Sequence, residues 1–119
     1  MEYRLAVVRV FVTDWPRAIR FYTETLDMTP TLITDGWAQF ATGEAQLALE
    51  RVDPADPESA ESVGRFVAVS LEVDDIDVAY ETLARRGVAF LGAPEKQPWG
   101  GTLAHLRDPD GNVLTLLGR

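Results

Sequence analysis

The only histidine of the chain, His105, is the first candidate for chemistry, because an imidazole gains and loses a proton near neutral pH. It could act as an acid or base, with Glu50 or Glu72 supplying a carboxylate and Arg9 an anchor for an anionic group. His105 could equally be a hydrogen-bonded residue of a pocket wall. The sequence alone therefore leaves the catalytic residues unknown, with His105 and Glu50 as the candidates.

Large aromatic side chains could supply the apolar part of a binding site. Trp37, Phe40 and Trp99 could stack on a flat ligand, since small-molecule pockets combine aromatic walls with a few polar groups. The two tryptophans could equally serve as packing residues or as contacts in a dimer.

Several classes of chemistry are excluded by the inventory. The chain has no cysteine, so disulfides, thiolate metal sites and a cysteine nucleophile are ruled out. A single histidine also rules out metal sites that need two or three imidazoles. A site made only of carboxylates remains possible in principle.

The elements that would position these residues occur twice. Residues 5–12 and 67–73 are apolar or alternating segments typical of strands, and an amphipathic helix pattern follows each. Asp14 can cap the first helix, and Asp74-Asp75 closes the second strand. Short strand-like segments follow each helix, at 32–34, 37–40 and 46–49 and again at 88–90, 102–106 and 113–116. At one constant spacing, three residues of the first unit recur in the second: Val12 as Val73, Asp14 as Asp75, and Ala18 as Ala79.

This repeat predicts a single α+β domain built from two tandem βαβββ modules. We expect module 1 at about residues 1–52, a polar, proline-containing linker at 53–64, and module 2 at about 65–119. Each curved sheet would cover one face with its helix, and the two sheets would share the space on their other faces.

Composition limits the partners. The formal net charge of −8 argues against nucleic-acid binding, which depends on Lys and Arg, and favours cationic ligands in general. No segment approaches the roughly 20 apolar residues of a membrane span, and the N-terminus lacks the pattern of a signal peptide. We therefore expect a cytoplasmic protein with no membrane partner.

The order of motifs resembles the vicinal oxygen chelate superfamily, to which glyoxalase-like and bleomycin-resistance proteins belong. Residues 10–14 read Val-Phe-Val-Thr-Asp and are followed by Phe21-Tyr22, a pair that we expect to lie mostly in the core. Module 2 closes with Trp-Gly-Gly at 99–101 and Asp-Pro-Asp-Gly-Asn at 108–112. The last string also reads as a tight turn between two strands, and we expect that structural role rather than catalysis.

The resemblance implies where metal-using relatives place four ligands, two in each module. These positions fall on Val7, Ala48, Ala68 and Thr115. Valine and alanine offer no lone pair and one hydroxyl is not a site, so no metal or other cofactor is expected. A register shift of two residues on the fourth strand would place Glu50 there instead.

Strand alternation then predicts which side chains share the face of these positions. On that face we expect Arg9 and Phe11 beside Val7, and Ser70 and Glu72 beside Ala68. Gln46 and Glu50 are expected on either side of Ala48. The resemblance to the family implies that His105 also faces the pocket. Arg9 would either pair with Glu50 or Glu72 or anchor an anionic ligand. The predicted pocket consists of Arg9, Phe11, Trp37, Glu50, Ser70, Glu72, Trp99, His105 and Thr115.

The resemblance leads to one main functional hypothesis and two alternatives. The main one is a metal-independent protein that binds a small, partly aromatic or cationic molecule and sequesters a toxic compound or antibiotic. The first alternative is a metal-independent isomerase or lyase that uses His105 with Glu50 or Glu72. The second is a regulatory or partner-binding domain. A homodimer is expected from the resemblance in each case.

Overall fold

A computed structural model describes residues 1–57 and 59–119. The chain divides into two compact units, Met1–Val63 and Gly64–Arg119. Each unit contains a sheet and one main helix, and the predicted α+β class is confirmed. No helix in the described part of the chain has the length and apolar character that a membrane crossing requires.

The first unit begins with strand β1 (Val7–Val12) and helix α1 (Trp15–Arg20), which continues as one π-helical turn (Phe21–Thr25). The side chain of Asp14 caps α1 by accepting a hydrogen bond from the Arg17 amide, as the sequence predicted. Strands β2 (Pro30–Ile33), β3 (Trp37–Phe40) and β4 (Gln46–Arg51) complete the unit's sheet.

The sheet of the first unit has the strand order β1-β4-β3-β2, with β1 parallel to β4 and the other pairs antiparallel. One face is apolar and fully buried. Tyr22 of the π-helical turn stacks on Phe40 of β3 with ring centroids 5.9 Å apart, so the Phe-Tyr motif places its tyrosine in the core as predicted. The buried residues on this side of the sheet are Val10, Val12, Ala18, Tyr22, Ala38, Phe40, Leu47 and Leu49; Ala48 is also buried but projects from the other face.

The idea that Phe40 could stack on a ligand is wrong. Phe40 has no exposed surface, because alternation along β3 points Ala38 and Phe40 to the core and Trp37 and Gln39 to the other face.

A short helix α2 (Ser59–Ser62) follows in the stretch predicted as a linker, 53–64, of which residue 58 lies outside the described residues. The second unit then repeats the order of the first: strand β5 (Phe66–Glu72), helix α3 (Ile76–Arg85), and a set of antiparallel strands. The side chain of Asp75 caps α3 by accepting from the amides of Asp77 and Val78, both at 3.1 Å.

The remaining strands are β6 (Ala89–Phe90), β7 (Glu95–Lys96), β8 (Thr102–Arg107) and β9 (Val113–Gly118), in the order β5-β9-β8-β6 with β7 also paired to β8. The two-residue strand β7 was not predicted. Strand β9 is buried throughout and packs on α3, where Ile76 lies over Gly118.

Strand β5 is irregular. Its register against β9 shifts between Phe66 and Ser70, and Ala68 within the shifted stretch has φ of 64°. A left-handed conformation is unfavourable for alanine, since its Cβ crowds the following carbonyl oxygen. The bulge therefore falls on one of the four positions that the resemblance predicted for metal ligands.

Candidate functional site

The face of the first sheet that points away from its core carries all four of the pocket residues predicted for module 1. Residues in register on adjacent strands project from the same face of a sheet. The register places Arg9 opposite Ala48, and Ala48 opposite Gln39. In the next layer Phe11 lies opposite Glu50, and Glu50 opposite Trp37. We call this surface the polar face of the first unit, defined by Arg9, Phe11, Trp37, Gln39, Gln46, Ala48 and Glu50.

On this face Arg9 pairs with Glu50, one of the two carboxylates that the sequence suggested. Its Nη1 donates to Glu50 Oε1 at 3.2 Å, and its guanidinium carbon lies 5.3 Å from the centre of the Phe11 ring. The ion pair joins single atoms rather than forming a bidentate fork, and the two side chains are 52% and 32% exposed. Such an exposed pair stabilises a protein by only about 0–1 kcal/mol. Because the contact uses only Nη1, Arg9 keeps further N–H donors for another partner.

A chain of hydrogen bonds runs across the same face. The Trp37 indole Nε1 donates to Gln39 Oε1 at 2.9 Å, and Gln39 Nε2 donates to Gln46 Oε1 at 3.1 Å. The Thr31 hydroxyl also donates to Gln46 Oε1, at 2.7 Å. Sequence reasoning noted Gln46 only as a neighbour of Ala48 and missed Gln39 and Thr31, because the chain depends on the register of three strands.

In the second unit the predicted site residues form a smaller cluster. Ser70 lies opposite Thr115 on adjacent strands, and Thr115 opposite His105, so the three side chains share one face. The His105 Nδ1 and Thr115 Oγ1 atoms are 2.8 Å apart, and the Phe66 ring meets the imidazole edge-on at 5.6 Å between centroids. Phe66 was not predicted, because the predicted strand began one residue after it, at 67.

His105 also lines a small open pocket of about 120 Å³. The pocket lies beside the β7–β8 hairpin and carries few groups able to bind a charged ligand. Its lining consists of Leu91, Gly92, Ala93, Glu95, Gln97, Leu103, Ala104 and His105.

Two other predicted residues of module 2 stand apart from this cluster. Glu72 accepts a hydrogen bond from Arg119 Nε at 3.1 Å and is mostly exposed. Trp99 is 61% exposed on the β7–β8 turn, where its ring lies over Gly101 so closely that a Cβ there would be 2.0 Å from a ring carbon. Within this unit, then, the acidic partner suggested for His105 is already engaged with an arginine.

The Asp-Pro-Asp-Gly-Asn string has the structural role that was predicted. The buried Asp108 carboxylate accepts from the amides of Asp110 and Asn112 and from the Asn112 side chain, at 2.9–3.0 Å. Asn112 Oδ1 in turn accepts from the Gly64 amide at 2.8 Å. These bonds close the β8–β9 turn and tie it to the start of the unit.

The four positions of the family's metal ligands do not suit a divalent ion. Val7, Ala48 and Ala68 have no donor atom, and the Thr115 hydroxyl is bonded to His105. Among the described residues, no group of three or more His, Cys, Asp or Glu side chains is arranged to hold a metal. The side chains at these positions therefore do not fit the ion that metal-using relatives bind.

Comparisons with known proteins agree with this architecture. The sequence model of the Glyoxalase/Bleomycin resistance protein/Dioxygenase superfamily matches residues 4–116. The crystal structure of TnmS3, an antibiotic binding protein from Streptomyces sp. CB03234, superposes with a TM-score of 0.77 at 33% identity, over 98% of this chain and 96% of that one.

Two curated relatives have different activities. A bleomycin resistance protein of Klebsiella pneumoniae is 30% identical over 69% of this chain and 67% of its own length. The metallothiol transferase FosB of Shouchella clausii (strain KSM-K16) is 27% identical over 87% of this chain and 71% of its own length. Sequence similarity thus connects the chain both to a resistance protein and to a transferase.

Proposed function

This chain belongs to the glyoxalase/bleomycin resistance protein/dioxygenase superfamily, and from that premise we propose that it is a metal-independent protein that binds a small, partly aromatic molecule. The bound molecule would be a toxic compound or an antibiotic, held unchanged in a stoichiometric complex. The polar face of the first unit is the main binding surface in this proposal.

The observation that supports the proposal most is the composition of that face. Trp37 and Phe11 offer half-buried aromatic surface, and Arg9, Glu50 and Gln46 offer hydrogen-bonding groups around it. Aromatic surface with a few fixed polar groups is what small-molecule sites use for affinity and orientation. Val7, Ala48 and Ala68, at three of the family's four metal-ligand positions, have no atom that binds a metal. This favours binding by side chains rather than through a metal.

Similarity to TnmS3 favours a binder over an enzyme. That protein is an antibiotic binding protein, and its likeness to this chain extends over almost the full length of both. The bleomycin resistance protein points the same way over a shorter stretch.

The enzymatic alternative rests on His105, which sits in a pocket and has the proton chemistry for it. Against it, the two carboxylates suggested as its partners are each paired with an arginine of their own unit, Glu50 with Arg9 and Glu72 with Arg119. A homodimer and a cytoplasmic location remain part of the proposal, and sedimentation at micromolar concentration tests the first.

The test is a thermal-shift screen of the purified, EDTA-treated chain against a panel of aromatic antibiotics. A compound that binds the native state raises the melting temperature by mass action. We expect at least one compound to do so, and to be recovered unchanged by mass spectrometry after long incubation with a substoichiometric amount of protein. Chemical conversion of the compound would favour the enzyme instead, and a panel without any shift would contradict the proposal.

A further inference from the structure

The hydrogen-bond chain on the polar face has a fixed direction. An indole N–H is a donor only, so the Gln39 atom that meets Trp37 must be its oxygen. The Gln39 amide nitrogen therefore points to Gln46, and the Gln46 atom that meets it must again be the oxygen. Thr31 cannot set this direction, because a hydroxyl can donate or accept.

The consequence is an outward donor at the end of the chain. Gln46 Oε1 is occupied by Gln39 and Thr31, and among the described residues nothing accepts a hydrogen bond from Gln46 Nε2. Gln46 is therefore held as a donor toward whatever occupies the face. Without Trp37, the two glutamine amides could turn over together and offer an acceptor instead.

Arg9 is the neighbouring donor. It lies opposite Ala48, two residues after Gln46 on β4, so Arg9 and Gln46 are diagonal neighbours on the same face. Its guanidinium uses Nη1 for Glu50, and no other described residue accepts from the rest of its N–H groups. A guanidinium and an amide N–H₂ on adjacent strands of one face can both donate to the oxygens of a carboxylate.

We propose that Arg9 and Gln46 form a subsite for a carboxylate group of the ligand, and that Trp37 is a positioning residue that orients Gln46 through Gln39. The inference deepens the proposed small-molecule function and rests on it. It also differs from what the acidic net charge favours, a cationic ligand, because the groups that Arg9 and Gln46 leave free are donors.

The test uses benzoate and benzamidine, two aromatic probes of similar shape with opposite charge, on the ¹⁵N-labelled full chain. We expect benzoate to shift the NMR signals of the Gln46 side-chain N–H₂ and the Arg9 guanidinium, and to bind more tightly than benzamidine. Preferential binding of benzamidine, or no benzoate shift at these two side chains, would overturn the subsite.

Two isosteric substitutions should change the preference in opposite directions. Gln46→Glu keeps the oxygen that Thr31 and Gln39 use and replaces the outward N–H₂ by an anionic oxygen, so benzoate affinity should fall about 10-fold or more. Glu50→Gln removes the anion that competes for Arg9, so benzoate affinity should rise by about threefold. Effects of the same sign in both variants would contradict the subsite.

Trp37→Phe tests the positioning role separately. It keeps aromatic surface but removes the donor that fixes the chain, so the ratio of benzoate to benzamidine affinity should fall by about threefold. Trp15→Phe in α1 makes the same change off the polar face and should leave the ratio unchanged. If the antibiotic panel binds but this ratio does not respond to Trp37→Phe, the relay is wrong while the proposed function stands; if neither panel nor probes bind, both fail.

Discussion

The two sheets of the molecule have the same strand plan but place their polar groups differently. In the first unit the hydrogen-bonding side chains lie on the polar face, where Arg9 bonds to Glu50 between β1 and β4, and Gln39 bonds to Gln46 between β3 and β4. In the second unit the strongest polar network is the buried Asp108–Asn112 turn. The bonded polar side chains of the first unit are partly exposed, whereas those of the Asp108–Asn112 turn are buried and hold the backbone of the second unit.

This difference indicates how one module plan can serve two purposes. The strand pairs β3–β4 and β8–β9 are equivalent hairpins, yet the β3–β4 turn is exposed and held by Thr42 alone among side chains of the described residues, with its hydroxyl 2.7 Å from the Ala45 carbonyl. Substitutions at equivalent positions in the two units should therefore change stability by different amounts, and some should affect binding rather than stability.

The largest effect is expected at the buried turn. Asn112→Ala removes the acceptor of the Gly64 amide and a donor to Asp108 in a place with no exposure, so the free energy of unfolding should fall by about 3 kcal/mol. Thr42→Ala at the equivalent turn should lower it by less than about 1 kcal/mol. Urea denaturation measures both, and similar losses at the two turns would contradict the comparison.

A smaller loss is expected where helix and sheet meet in the second unit. A Cβ at Gly118 would lie 2.7 Å from Ile76 Cγ2, so Gly118→Ala should lower the free energy of unfolding by about 2 kcal/mol through overpacking. Gly92→Ala is the control, because a Cβ there meets nothing within 4 Å. An unchanged stability of the Gly118→Ala protein would show that α3 packs more loosely on β9 than this close approach implies.

The bulge of β5 should respond with the opposite sign. Ala68 has φ of 64°, a conformation that glycine adopts without a Cβ clash, so Ala68→Gly should raise the free energy of unfolding by about 0.5–1 kcal/mol. Ala48→Gly in the regular strand β4 should lower it by about 0.5–1 kcal/mol. Equal signs in thermal or urea unfolding would mean that Ala68 is not held in the left-handed region.

The smallest effect on stability is expected on the polar face. Arg9→Met removes an exposed single-contact ion pair, so unfolding free energy should change by less than about 0.5 kcal/mol while benzoate binding is lost. A large loss of stability with binding retained would show that Arg9 has a structural role. It would contradict the view that the polar face of the first unit serves binding rather than stability.

The sequence predicted the elements of the fold well, and the site only in part. Period-two alternation correctly placed Arg9, Phe11 and Glu50 on one face, and helical periodicity located both main helices. The same rule should have separated Phe40 from Trp37, since they are an odd number of residues apart on one strand.

Other features depend on tertiary structure. The glutamine chain requires the register of Gln39 against Ala48 and of β4 against β1, which alternation in single strands does not supply. The bulge at Ala68 has no local signal, because alanine does not favour positive φ. Strand β7 has two residues, too few to show a period.

The central claim is that this chain binds its ligand through side chains and without a metal. The most direct test is the affinity and stoichiometry of the best compound of the antibiotic panel, measured by calorimetry in excess EDTA and again with added Zn²⁺, Mn²⁺ or Mg²⁺. We expect the same affinity under all conditions, with an equimolar complex. Binding that appears only when a divalent ion is present would contradict the claim and would favour a metal-dependent activity instead.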